Sequence, residues 1–157
     1  MTGNGILGGI TAVQGATAGN NVCHYIQCVN NGDITATATQ AVSSSAMAGI
    51  AAFYSPGSVF EYCINTGFVT NTKSVYTAGI AAYNKGYATA DYPVVFKGCV
   101  NTGNIASSAQ QIAGIVAYIT NYTSVDSCLN YGTIEQGIWG AAGICYTMAG
   151  TTSSLTN

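Results

Sequence analysis

Two short signatures alternate along the chain, and no other feature restricts its fold so tightly. One is a small residue, then Gly-Ile, then a small or aromatic residue. It occurs at Gly9-Ile10-Thr11-Ala12, Gly49-Ile50-Ala51-Ala52-Phe53, Gly79-Ile80-Ala81-Ala82-Tyr83, Gly114-Ile115-Val116-Ala117-Tyr118 and Gly143-Ile144-Cys145-Tyr146. The other reads Cys, aliphatic, Asn, any, Gly, any, Ile or Val. Its copies are Cys28-Val29-Asn30-Asn31-Gly32-Asp33-Ile34, Cys63-Ile64-Asn65-Thr66-Gly67-Phe68-Val69, Cys99-Val100-Asn101-Thr102-Gly103-Asn104-Ile105 and Cys128-Leu129-Asn130-Tyr131-Gly132-Thr133-Ile134. Successive cysteines of this pattern lie 35, 36 and 29 residues apart. Fixed segments at variable separation mean coils held in register with loops bulging between them, as in a solenoid. A propeller blade needs about 40–45 residues and four strands, and a sandwich does not demand the same Cys, Asn and Gly at equivalent places.

Residue choice says strand rather than helix. Fourteen Ile and twelve Val stand against three Leu, and Glu, Lys and Arg together supply five residues, so the strong helix formers other than Ala are nearly absent. Twenty Gly are spread along the length, and Asn-Gly and Thr-Gly mark the turns. The expected fold is all-β: a right-handed parallel β-helix of four to five coils. It forms one domain over 1–157, with repeats near 5–38, 46–74, 76–109, 111–137 and 140–157.

Charge removes whole classes of function. Only 5% of the residues are charged, and there is no arginine. No basic patch is available to neutralise phosphates, so nucleic acid is not an expected partner. Gly, Ser, Thr or Asn interrupts every apolar run before the roughly 20 residues of a membrane span. The start, Met1-Thr2-Gly3-Asn4-Gly5, lacks the basic and apolar regions of a signal peptide.

In a parallel stack, equivalent residues lie about 4.8 Å apart and build ladders. Three short strands per coil are expected, one around Gly-Ile-Ala-Ala, one leading into the Cys, and one after the Asn-x-Gly turn. Three interior aliphatic ladders follow. The first is Ile10, Ile50, Ile80, Ile115 and Ile144; the second is Val29, Ile64, Val100 and Leu129; the third is Ile34, Val69, Ile105 and Ile134. The amides of Asn30, Asn65, Asn101 and Asn130 are expected to hydrogen-bond along the axis and to the turn backbone. The Gly two residues later is expected to supply positive φ.

This pattern resembles the GLUG motif, the glycine-rich repeat of bacterial surface proteins, adhesins and some cell-wall-associated proteases. Cys63-Ile64-Asn65-Thr66-Gly67 and Cys99-Val100-Asn101-Thr102-Gly103-Asn104-Ile105 carry the likeness, and the Gly-Ile-Ala-Ala-Tyr segments follow it more loosely. The resemblance implies a right-handed parallel β-helix in an extracellular, bacterial setting, acting as scaffold and not as enzyme.

The remaining candidates for chemistry are few. Cys28, Cys63, Cys99 and Cys128 occupy one repeat position and are expected to form a column of buried thiols, since stacked Cβ vectors run parallel. One or two disulfides, or a metal, stay open beside that reading, although Cys23 and Cys28 are the only close Cys-x₂₋₄-Cys pair and no second pair or His cluster joins them. Cys23 and His24, adjacent on a strand, should point to opposite faces and form no dyad. Glu61 and Asp126 share the position two before the Cys, where the third repeat has Lys97. As a glycosidase pair they would be near 9.6 Å apart, the extreme of the inverting range. No cofactor is expected.

Phe53, Tyr83 and Tyr118, with Tyr146 nearby, share the position after Gly-Ile-x-Ala. They are expected at a corner or outside, where such a column packs against itself, a sugar or a second subunit. Thr35, Thr37 and Thr39 alternate in one repeat, as an ice-binding array would, and Asn121-Tyr122-Thr123 is a formal glycosylation sequon.

A solenoid exposes an edge strand at each end unless a cap covers it, and neither terminus carries an amphipathic helix or charged segment. The expectation is a non-catalytic structural or adhesive solenoid, extracellular or on a bacterial surface. Its partners would be other copies stacked end to end or adjoining repeats of a longer surface protein. Glycan binding through the aromatic column is the alternative, and ice binding is a weaker one.

Overall fold

The computed structural model describes residues 1–3, 5–14, 22–37, 45–71, 75–108, 110–135 and 139–156. Thr39 and the repeat boundaries at 38, 74, 109, 137 and 157 lie outside the described residues. A first partial turn supplies β1 (Thr2–Gly3), β2 (Leu7–Gly8) and β3 (Thr11–Val13). The next turn holds β4 (His24–Ile26), β5 (Val29–Asn30), β6 (Ile34–Ala36), β7 (Ala46–Ala48) and β8 (Ala51–Tyr54). It is followed by β9 (Val59–Glu61), β10 (Ile64–Asn65), β11 (Val69–Asn71), β12 (Tyr76–Ala78) and β13 (Ala81–Asn84). The third complete turn is β14 (Val94–Lys97), β15 (Val100–Asn101), β16 (Ile105–Ser107), β17 (Gln111–Ala113) and β18 (Val116–Ile119). The last is β19 (Thr123–Asp126), β20 (Leu129–Asn130), β21 (Ile134–Glu135), β22 (Ala141–Ala142) and β23 (Cys145–Met148), after which β24 (Ser154–Thr156) begins another.

Every strand pairs in parallel with its equivalent one turn away, which generates five sheets. Sheet I runs from β1 to β21, sheet II from β2 to β22, sheet III from β3 to β23 and sheet IV from β4 to β24; sheet V, from β5 to β20, has four strands where the others have five. The protein is a parallel β-solenoid of between four and five coils.

Each complete coil has five strands instead of the expected three, because two corners cut the longer segments. Gln27, Tyr62, Gly98 and Ser127, each just before a Cys, take φ of 52, 53, 60 and 52°, and this left-handed residue separates sheet IV from sheet V. The Gly-Ile pair is a corner too, splitting β7 from β8 and β12 from β13.

The interior is divided into two lobes. The first holds Ile50, Ile80 and Ile115, with Tyr25, Phe60, Phe96, Cys63 and Cys99 among others. The second holds Ile34, Val69 and Ile105 against Leu7, Met47 and Ile112. Where Thr77 replaces an aliphatic neighbour in the second lobe, Asn71 Nδ2 donates to its Oγ1 at 2.8 Å and Ser107 Oγ lies 3.2 Å away, so the buried hydroxyl is satisfied. The wall between the lobes is the asparagine file. A Cβ on Gly49, Gly79 or Gly114 would overlap the side chain of Asn65, Asn101 or Asn130 respectively. The two sequence signatures are thus opposite sides of one contact across a thin waist.

Two expectations are overturned here. Val29 and Leu129 are 47% and 37% exposed, and Ile64 and Val100 are half-buried, so the second aliphatic ladder lines the outside. Alternation explains it: with Cys63 and Asn65 both turned inward, the residue between them must face out. The glycines at 32, 67, 103 and 132 are not in the positive-φ region. Close approach requires them, since a Cβ on Gly67, Gly103 or Gly132 would overlap the carbonyl of Gly32, Gly67 or Gly103.

Candidate functional site

Each asparagine of the file uses its amide in two directions. Nδ2 of Asn30, Asn65 and Asn101 donates to Oδ1 of Asn65, Asn101 and Asn130, every time at 2.7 Å. The same nitrogens, with that of Asn130, donate to the carbonyls of Gly32, Gly67, Gly103 and Gly132 at 2.8–3.0 Å. Both amide protons are consumed in the first three members, and the file is a structural ladder.

Beside it runs the sulfur column. Cys63, Cys99 and Cys128 are buried, Cys28 is half-buried, and all six cysteines are unpaired thiols. Sγ of Cys63 donates to the Tyr25 carbonyl at 3.0 Å, and Sγ of Cys99 to that of Phe60 at 3.4 Å. Hydrogen bonds with the Cys128 and Cys63 thiols, and then burial, push the Cys99 thiol up. Those bonds with Cys99 lower Cys63 and Cys128. Burial lifts Cys28, and it lifts Cys145 to about 12. Among the described residues, no three His, Cys, Asp or Glu side chains converge as a metal site would require.

Cys23 packs towards the first lobe while His24 is exposed on β4, so the two diverge. Glu61 and Asp126 flank Lys97 on β9, β14 and β19, and Asp126 Oδ1 accepts from Thr156 Oγ1 at 2.7 Å. The carboxylates are two rungs apart with a cation between them. That is an alternating surface file, not an acid–base pair.

The Ile column is continuous at the backbone: N–H of Ile10, Ile50, Ile80 and Ile115 donates to the carbonyl of Ile50, Ile80, Ile115 and Ile144 at 3.1–3.2 Å. Its three middle members are fully buried; Ile10 is 50% exposed and Ile144 is half-buried. A second interior column escaped sequence reasoning. Tyr25, Phe60 and Phe96 stack face to face, with centroids 4.5 and 4.6 Å apart, and Tyr54 meets Phe60 and Phe96 edge-on. The signal was present three residues before each repeat Cys, where Tyr25, Phe60, Phe96 and Val125 stand.

Phe53, Tyr83 and Tyr118 are aligned on β8, β13 and β18, and the next partner is Thr147, which puts Tyr146 outside the column. They do not form an open platform. Ala46 and Ala48 of sheet II cluster with Ala52, Phe53 and Ala82 of sheet III, away from the two interior lobes. Sheets II and III therefore fold inward at Gly-Ile, and their outer faces close into a re-entrant groove. Phe53 is buried in it, and Tyr83 packs on Tyr76 at 4.4 Å and on Tyr118 at 5.1 Å. Where the groove opens beyond Tyr83 and Tyr118, a cleft of about 260 Å³ lies against Asn84, Lys85, Tyr87 and Thr120.

Thr35 is aligned with Thr2 and Thr70 across turns, but Ala106 and Glu135 continue that file and exposed Phe68 stands beside it. Among the described residues no flat threonine array spans the face. In the sequon, Asn121 is half-buried and its Oδ1 is enclosed without a hydrogen-bond partner.

Backbone pairing and side-chain files together define a parallel β-solenoid with an asparagine-laddered waist. No family model, curated protein or solved structure matches the chain.

Proposed function

We propose that the chain is a non-catalytic structural or adhesive element, extracellular or on a bacterial surface, whose coils are continued at both tips by further coils. The occupants are copies stacked head to tail or adjoining repeats of a longer surface protein. One observation carries this reading: among the described residues, the interior columns run to both tips with nothing covering their last members. Ile10 tops a column whose middle is fully buried, and Leu155, 49% exposed, ends the column of Phe60, Phe96 and Val125. Among the described residues each sheet also ends in a strand with one unpaired edge, the usual template for adding another strand. A chain with only 5% charged residues opposes such contact weakly. The likeness of the Cys-x-Asn-x-Gly segments to surface-protein repeats supports the extracellular setting.

Stacked on one axis, sheets I to IV of two copies pair directly. Sheet V is one strand short, so a single rung stays open between Asn130 of one copy and Asn30 of the next. Head-to-tail contact of this kind does not close on itself and makes a filament. Light scattering and negative-stain microscopy over a concentration series test it. Rods with an axial repeat of about 24 Å, five rungs, are expected. Ile10→Lys or Leu155→Lys should stop growth while leaving the circular dichroism spectrum unchanged. Monomers at every concentration would overturn self-assembly.

A further inference from the structure

We propose that the insertion between β13 and β14 builds a binding cleft for one sugar ring that bears a carboxylate, such as a uronic acid unit. Nine residues, 85–93, link sheets III and IV here, whereas residues 55–58 and 120–122 make the same link in the neighbouring turns. An added loop on a rigid scaffold is where binding residues concentrate.

The loop is pinned rather than loose. Lys85 N donates to the Tyr54 carbonyl at 2.8 Å, and Asn84 Nδ2 and Ala88 N both donate to Thr120 Oγ1, at 3.1 and 3.3 Å. Gly86 N donates to Asn84 Oδ1 at 3.1 Å, and Gly57 N to the Tyr92 carbonyl at 3.1 Å. Asn84, Ala88 and Thr120 are buried. The cleft walls are therefore set before any ligand arrives, which keeps the ordering penalty of binding small.

Its chemistry is specific. Tyr83, Tyr118 and Tyr87, the last of them 84% exposed, line it together with Lys85. Aromatic faces suit the C–H face of a pyranose, and phenols suit its hydroxyls. The Tyr83 phenol, like any phenol, is an O–H donor at neutral pH, and burial and the neighbouring Tyr118 shift it further in that direction. Among the described residues Lys85 is the one cation lining the cleft, which matches one carboxylate and not a polyanion. At about 260 Å³ the space is just below the usual small-molecule pocket, enough for one ring and not for a chain.

The test is an NMR titration of the intact protein with D-glucuronate and D-galacturonate, against glucose and galactose. Perturbations centred on residues 83–87 and 118–120 are expected, with the uronates about five-fold tighter at low salt and the advantage shrinking in 0.5 M salt, roughly. Lys85→Met should reduce the uronates to the level of the neutral sugars, and Tyr87→Ala should weaken both. Both side chains are exposed, so the variants remain folded. Equal binding of neutral and acidic sugars, uronate binding unchanged in Lys85→Met, or no perturbation at these residues would each refute the proposal. Self-assembly through the tips is unaffected by any of these results.

Discussion

The middle turns and the tips of this solenoid carry the same residues in the same columns, yet those residues do different work. Ile80 is fully buried between Ile50 and Ile115, whereas Ile10, with a neighbour on one side only, is 50% exposed. Phe96 lies between Phe60 and Val125, and Leu155, two rungs on, is 49% exposed. Gly79 is wedged against the Gly114 carbonyl and Asn101, while a Cβ on Gly143 would meet nothing within 4 Å. Along the file Asn65 and Asn101 each receive one hydrogen bond and pass on another, whereas Asn130 receives one and its own amide donates to the Gly132 carbonyl. A repeat motif here has no fixed energetic value. Its worth is a nearest-neighbour term, full only when a coil lies on each side.

The glycines sharpen this contrast most. Gly79→Ala should lower stability in urea unfolding by about 3 kcal/mol or more, because backbone and ladder must both move. Gly143→Ala should stay within about 0.5 kcal/mol of the parent. Equal midpoints for the two would break the comparison. Truncating the aromatic stack comes next: Phe96→Ala should cost about 3–5 kcal/mol, against less than about 1 kcal/mol for Leu155→Ala, whose side chain is already half in water.

The ladder should show the same gradient on a smaller scale. Asn101→Ala strands the Asn65 amide proton, Asn130 Oδ1 and the Gly103 carbonyl, a loss of about 2–3 kcal/mol. Asn130→Ala, at the end of the file, should lose about 1 kcal/mol. A pH series of unfolding curves probes the half-buried Cys145 thiol and the buried Tyr25 phenol. Cys145 and Tyr25 are each held up to about 12 by burial, from 9.0 and 10.0. The folded state therefore keeps protons that the unfolded chain releases, so their contribution is complete below about pH 9 and fades as pH climbs towards 12. Rising stability above pH 9 would contradict the burial of these groups. The smallest effect belongs to the corners. Ser127 holds φ of 52°, so Ser127→Gly should gain about 0.5 kcal/mol, the relief of left-handed strain less the freedom Gly adds to the unfolded chain.

Much of the architecture was legible because a parallel stack repeats its demands at each turn. The recurring Ile, Cys and Asn positions announced the columns, and unequal spacing announced that loops bulge between them. What reasoning along the sequence missed were contacts between different positions of one coil. Nothing local says that Gly49 sits against Asn65, so the purpose of the Gly-Ile signature was hidden. Val29, Ile64, Val100 and Leu129 looked like core by residue type, and only the inward Cys and Asn on either side reverse them. The aromatics of the Gly-Ile-x-Ala position were expected at a corner or outside, and it took the inward fold of sheets II and III to show which rings are each other's neighbours.

The sequence by itself determined that strands stack in parallel and which residues lie above one another, since translation along an axis maps a repeat onto itself. Tertiary structure alone decided what faces what across the coil: the pinched waist, the two lobes, the re-entrant groove and the cleft at its mouth. Those depend on the corner angles, which single left-handed residues and close-packed glycines set, and no periodicity in the chain encodes an angle.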